Sequence, residues 1–481
     1  MSVVKVYWSP QILFRQLSTV SNSAWIRNGR VFLTGVLAIA VIVFAFRNAG
    51  VHEIQRAHDR VNFAVVDARP EPGDWPWWRG ADRSNAAILQ YPPAHWIPND
   101  SSGWVAPVTG QGRTALCSWG QQLFLPTIDS TRRTISLQAL ESTTGRLLWQ
   151  TELHCGGLLA LPSRGSVTST TPACDGHHVY LASAVNGSLW VSAVDLAGRI
   201  AWQREAGPYY SRWGYGSSPA IYKSLVIVAA DNRGTGLDRL VGAGSLVALH
   251  RQTGEIVWRI RRPAADSLGT PVVARIAGRD QLLLAGKDRI CSYDPATGAS
   301  LWTCNWSAER AINSVAFDDL HVYASARQER PEMLCIRADG TGDVTRTKII
   351  WRTGKAVSDA PSPVVFDGSL YTLSDDGYLT CLEAATGLTV WKRRLGGTCS
   401  VSPLIAGNHL YCCNDEGTVF VIRLGSKGDL IAEIPMGDPI HASPIVSEHR
   451  LYIRTLSGVH CIESAHETPL ANQPESNRGR G

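Results

Sequence analysis

Few residues of this chain invite chemistry, and the densest group is aromatic and cationic. Tyr209, Tyr210, Arg212, Trp213 and Tyr215 fall within one seven-residue stretch, and Asp231 and Arg233 follow after a short apolar run. Arginine beside tyrosine and tryptophan on a loop is the mixture that anchors protein partners. The same aromatics could instead plug a packing junction. His177-His178 adjoins Asp175-Gly176, where a solvated turn accounts for the pair better than a metal does. Eleven cysteines form neither a CxxC pair nor an even disulfide set. HExxH, GxSxG, phosphate-loop and kinase signatures are missing, so the sequence offers no catalytic constellation.

What must position the loop is a repeat. A Ser/Thr-Pro step, two or three apolar residues, a turn and an apolar-aromatic pair recur at propeller-blade spacing, from Thr171-Pro172, Ser218-Pro219, Thr270-Pro271, Ser362-Pro363, Ser402-Pro403 and Ser443-Pro444. Ala115-Leu116 and Ser314-Val315 open two copies without the proline. Asp or Gly at the turns, as in Asp367-Gly368, makes each start a β-hairpin. A third strand then leads to Thr-Gly-x-x-x-Trp, ending at Trp149, Trp258, Trp302 and Trp391; Ala197-Gly198 with Trp202 is a near copy, and Trp351 closes a copy with a longer turn. These indoles are expected to bury against the adjoining blade. Cys335, Cys381 and Cys461 share the phase of Ala139, Ala193 and Ala248, which makes them small buried residues. Trp104 sits at the phase of a last strand while the final copy ends near Ile462 without one, so the Trp104 segment should close the ring. The expected fold is all-β: an eight-bladed β-propeller of four-stranded blades, about 45 residues each, preceded by one transmembrane helix.

The phased motif, seen as Ala139-Leu140-Glu141 through Trp149 and Ala248-Leu249-His250 through Trp258, resembles the pyrroloquinoline quinone repeat from residue 104 to about 463. Trp75-Pro76-Trp77-Trp78-Arg79-Gly80, with Gly214-Tyr215-Gly216-Ser217-Ser218-Pro219, is similar to membrane-anchored propellers of planctomycete-type bacteria. The resemblance extends both to quinoprotein alcohol dehydrogenases and to the propeller lipoprotein of outer-membrane protein assembly, so it implies two functions, one catalytic and one a scaffold. The catalytic branch implies quinone, calcium, a catalytic aspartate and a disulfide between adjacent cysteines. Cys412-Cys413 has that adjacency, yet it falls in strand phase, where neighbours point to opposite faces. The reading adopted is a non-enzymatic scaffold for an envelope protein or peptide, without cofactor; a dehydrogenase of periplasmic alcohols or sugars using quinone and calcium is the alternative.

Charge and hydropathy give the address. Residues 31–46 form an uncharged apolar run between Arg30 and Arg47, about 24 Å long as a helix, and long cationic flanks can snorkel to bridge the remainder of a ~30 Å core. No small-x-small cleavage site follows, so it reads as a signal anchor. Four basic residues precede it, which puts residues 1–30 in the cytoplasm and the propeller outside, in the periplasm. Residues 47–74 read as a linker, 75–465 as the propeller and 466–481 as a disordered tail. Five of the 46 basic residues precede Glu53, leaving 41 against 41 acidic ones. That balance argues against nucleic acid as a partner.

Overall fold

The computed structural model describes residues 68–98, 103–108, 113–158, 169–234, 244–328 and 330–463. The expected anchor at 31–46, the segment before it, most of the linker and the tail lie outside the described residues. Among the described residues no helix is long and apolar enough to cross a membrane.

Eight antiparallel sheets follow one another along the chain. Blade 1 comprises Cys117–Trp119, Gln122–Asp129, Thr134–Glu141 and Leu147–Cys155. Blades 2 to 7 open with Ala173–Cys174, Ala220–Tyr222, Val272–Ile276, Ala316–Phe317, Val364–Phe366 and Leu404–Ala406. In blade 8, Ile445–Ser447, Arg450–Arg454 and Gly458–Ile462 take their fourth strand from far upstream: Gly103–Pro107 pairs antiparallel with Gly458–Ile462, Trp104 opposite Cys461. The ring therefore closes where the sequence predicts, blade 8 receiving its fourth strand from upstream. Blades 4 and 7 gain a fifth, two-residue parallel strand, Gly342–Asp343 and Ala86–Ala87 respectively.

The repeat has a packing cause. In blade 2, Tyr180 on the second strand faces Ala193 on the third, which faces Trp202 on the fourth. The small central residue lets the two rings come within 6.0 Å above it. Cys335 lies likewise between Tyr323 and Trp351, Cys381 between Tyr371 and Trp391, and Cys461 between Tyr452 and Trp104. The indole then lies on the Thr-Gly turn of the next blade. A Cβ on Gly145, Gly254 or Gly387 would stand 2.4–2.7 Å from Trp104, Trp202 or Trp351, and each of these glycines has φ near +70°. Glycine is required there twice over, by backbone and by contact. The indole N–H groups of Trp104, Trp149, Trp202, Trp351 and Trp391 donate across the junction to carbonyls of Ser142, Leu196, Arg251, Ala384 and Gly425 at 2.9–3.0 Å. Trp258 packs on Gly298 of blade 4, whereas Trp302, fully buried, donates to Gln281 within its own blade. Blade 7 carries Ala432 opposite Val421 at this place.

The Ser/Thr-Pro steps form a girdle at the centre. Backbone N–H groups of Thr171, Ser218, Thr270, Ser314, Ser362 and Ser402 donate in turn to the hydroxyls of Ser218, Thr270, Ser314, Ser362, Ser402 and Ser443 at 2.9–3.3 Å. Ala115, at the same place in blade 1, has no hydroxyl to continue the relay. Each link satisfies a buried amide that no strand ladder reaches.

Candidate functional site

Two concave regions among the described residues bear on function. The first is the axial funnel, about 230 Å³, whose wall is the hydroxyl girdle. Trp78 lies across it, donating its indole N–H to Ser314 Oγ at 3.1 Å. Trp78 belongs to the Trp75–Gly80 motif, and the segment around that motif straps one end of the channel. Gly73 accepts from the Ser447 hydroxyl of blade 8, Trp75 and Ser118 of blade 1 exchange two bonds, and the Pro76 carbonyl accepts from Cys174 N–H of blade 2. Arg83 reaches the Ile221 carbonyl of blade 3 while stacking 4.5 Å over Trp77. Arg79, 1% exposed, bonds the Pro363 carbonyl of blade 6, and Asn85 bonds that of Pro403 in blade 7. Burial pushes the Arg79 guanidinium down to about 10, against the smaller opposing pull of the Asp82 carboxylate. The same funnel is lined by residues that precede the girdle, among them Arg113, Ser169, Leu268 and His441.

The second region is a cavity of about 400 Å³ lined by Arg212, Arg233, Asp266, Lys287, Glu309 and Arg310, with Ala264, Ala265 and Gln328. It divides the seven residues singled out in the sequence. Tyr209 and Tyr215 are buried, edge to face at 5.2 Å, and donate to the carbonyls of Gly214 and Ala229. Burial pushes both phenols up. Asp231 is buried too, gripping Arg262 through two bonds of 2.7 and 2.9 Å, and Arg262 also donates to the Tyr293 hydroxyl. These three hold blades together and present nothing to a partner. Arg212 and Arg233 line the cavity, Tyr210 is 45% exposed, and Trp213 lies between the guanidiniums of Arg212 at 5.1 Å and Arg310 at 5.8 Å.

Lys287 and Arg310 escape a reading of contiguous sequence because they arrive from blade 4 and the loop after it. Repeat phase is the signal that finds one of them: Arg310 stands four residues before Ser314, as Asp266 stands four before Thr270.

With eight blades and their junctions described, the chain can be set beside known proteins. Over residues 100–244, 133–350 and 286–430 the chain fits the family model described as outer membrane protein assembly factor BamB. The chain belongs to this family. The BamB of Yersinia pestis is 23% identical over 305 residues, spanning 61% of this chain and 62% of the relative. Tetrathionate hydrolase of Acidithiobacillus ferrooxidans is 22% identical over 312 residues, spanning 60% and 55%. The chain thus spans less than two thirds of either relative's length. The crystal structure of BamB from Moraxella catarrhalis superposes with a TM-score of 0.51 at 16% identity, over 77% of this chain and 96% of that one, a likeness of fold.

Ten of the eleven cysteines in this BamB-family propeller are buried, and Cys155 is exposed. Cys412 and Cys413 are successive residues of His409–Cys413 and enter different cores, Cys412 with Phe420 and Cys413 with Tyr411. Burial pushes both thiols up, which disfavours the thiolate. Asp175 accepts from the amides of His177 and His178 and from the Tyr180 hydroxyl, and lies 3.2 Å from Arg251. Among the described residues no group of three or more His, Cys, Asp or Glu is placed to hold a metal.

Six imidazoles, those of His154, His178, His250, His409, His441 and His460, sit below the ordinary value of 6.5, burial being the main cause in each. The unfolded chain therefore binds more protons than the folded one as pH falls below 6.5. Their contribution is whole above that value and is lost as pH falls through it towards the folded values. Thermal melts should shift steadily downward between about pH 7 and pH 5, and His154→Gln, which removes the ring packed 5.9 Å from Trp190, should flatten that slope. An unchanged slope in the variant would contradict the assignment.

Proposed function

We propose that this chain is a membrane-tethered, extracytoplasmic propeller that recruits protein partners in the cell envelope, in the assembly role that the name of its BamB relatives describes. Residues 31–46 serve as the tether. The scaffold needs no cofactor. Family membership supports this reading, and one observation carries it: the donor set at the axis. A quinone held with calcium requires anionic ligands, yet the described lining of the funnel consists of hydroxyls, Arg113, His441, Trp78 and apolar groups, with no carboxylate. That lining does not fit the pair, so no redox step is drawn through it. The rim cavity, with half-buried Trp213 between arginines, has the composition of a docking surface instead.

The test takes full-length chain in mild detergent. Supplied with pyrroloquinoline quinone and calcium, it should reduce no dye with alcohols or sugars, and Cys412→Ala should behave identically. Tagged chain solubilised from its own membranes should co-purify with envelope proteins that assemble outer membrane proteins. Quinone-dependent turnover abolished by Cys412→Ala or Cys413→Ala, with no envelope partner, would reverse the assignment in favour of the dehydrogenase.

A further inference from the structure

Beyond residue 52 the chain is formally neutral, so a local excess of one sign arises only by segregation, and the rim cavity shows it. Four cations, Arg212, Arg233, Lys287 and Arg310, face two carboxylates, Asp266 and Glu309. The Asp266 side chain, 1% exposed, is committed internally, 2.5 Å from Arg233 and 4.0 Å from Arg212. Arg310 is steadied by Asp359 at 3.6 Å and by the Trp213 ring. Arg212, held only at the 4.0 Å limit by Asp266, keeps its side chain 61% exposed, and Lys287 lines the same cavity. A cradle of this kind accepts carboxylates: the guanidiniums offer forked donors, the buried Asp266 fixes their spacing, and the indole gives an apolar wall for the ligand's methylenes. The cationic groups converge on one concave volume and form no stripe. Duplex or single-stranded nucleic acid tracks a line of phosphates, whereas a pocket of about this size admits a few acidic side chains of a peptide laid across it.

We infer that the Arg212–Lys287–Arg310 cavity is the docking site for an acidic segment of a protein partner. This rests on the scaffold reading and adds the partner's chemistry. Docking through these side chains makes association salt-sensitive and selective for peptide carboxylates.

Fluorescence anisotropy of full-length chain with a labelled ten-residue oligoglutamate tests it. Binding should weaken about tenfold from roughly 50 to 300 mM salt, and Arg212→Glu with Lys287→Glu should weaken it about tenfold or more. Neither residue is buried, so the fold should survive; circular dichroism and unchanged melting verify this. Arg423→Glu with Lys427→Glu, exposed on blade 7, makes the same change of net charge and should alter binding by less than about twofold. Equal losses from the two pairs, no oligoglutamate binding, or equal affinity for a ten-residue oligothymidylate would each overturn the inference. Co-purification of envelope partners is judged separately. Partners retained by the Arg212/Lys287 variant would leave the scaffold reading standing and this one rejected.

Discussion

Trp104→Ala should cost about 3 kcal/mol and convert a closed ring into one that opens at a single seam. The indole is half-buried, which sets the expectation at the lower end of the range for losing a large aromatic. Three contacts vanish together: the stack over Gly145 of blade 1, the pairing 6.0 Å from the Tyr452 ring, and the N–H bond to the Ser142 carbonyl. The Tyr452 hydroxyl donates to that same carbonyl, so the carbonyl keeps one partner and the loss is chiefly packing. Because Gly103–Pro107 is the strand that joins the chain's beginning to blade 8, the cost falls on the closure itself. Chemical denaturation should show the loss. A chain starting near residue 120 should go further and aggregate through the bared edge of Gly458–Ile462. If Trp104→Ala melts like the parent, the seam does not carry closure.

Asp231→Ala should be more damaging still, about 3–5 kcal/mol, because it leaves the Arg262 guanidinium buried without its counter-ion. Burial opposes the charge on Arg262, yet the Asp231 carboxylate and the Tyr293 hydroxyl outweigh it and hold its titration above the ordinary range. Asp231→Leu combined with Arg262→Met should recover most of the loss, since removing both partners leaves no orphaned charge. Partner binding measured on folded molecules should be unaffected by that pair. A selective loss of binding with unchanged stability would return Asp231 to the docking surface.

These two expectations show what the residues disclosed and what they hid. Closure by Trp104 was legible because strand phase is local and periodic: a tryptophan four residues past the glycine of a Thr-Gly turn has a fixed place, and an extra one before the first hairpin must belong to the last. The small partners of the indoles, Cys335, Cys381 and Cys461, were legible for the same reason. Asp231 misled because adjacency to Arg233 says nothing of side-chain direction. Two positions apart, Asp231 enters the core towards Arg262, 31 residues on, and Arg233 is largely exposed. The strap formed around Trp75–Gly80 carried no period at all. Its partners lie in blades 8, 1, 2, 3, 5, 6 and 7, and only three-dimensional closure brings those together. The rim cavity was half legible: the loop supplies Arg212 and Trp213, while Lys287 and Arg310 join it through the stacking of neighbouring blades.

The scaffold assignment is most directly tested by placing a photo-crosslinking amino acid at Tyr210, exposed beside the docking face, in the chain expressed in its own cells, with Lys427 on blade 7 as the reference position. The expected result is one dominant adduct from Tyr210, formed with an envelope protein of the outer-membrane assembly machinery and missing from Lys427. Adducts from the two positions that share the same abundant, unrelated proteins would contradict a partner-recruiting propeller.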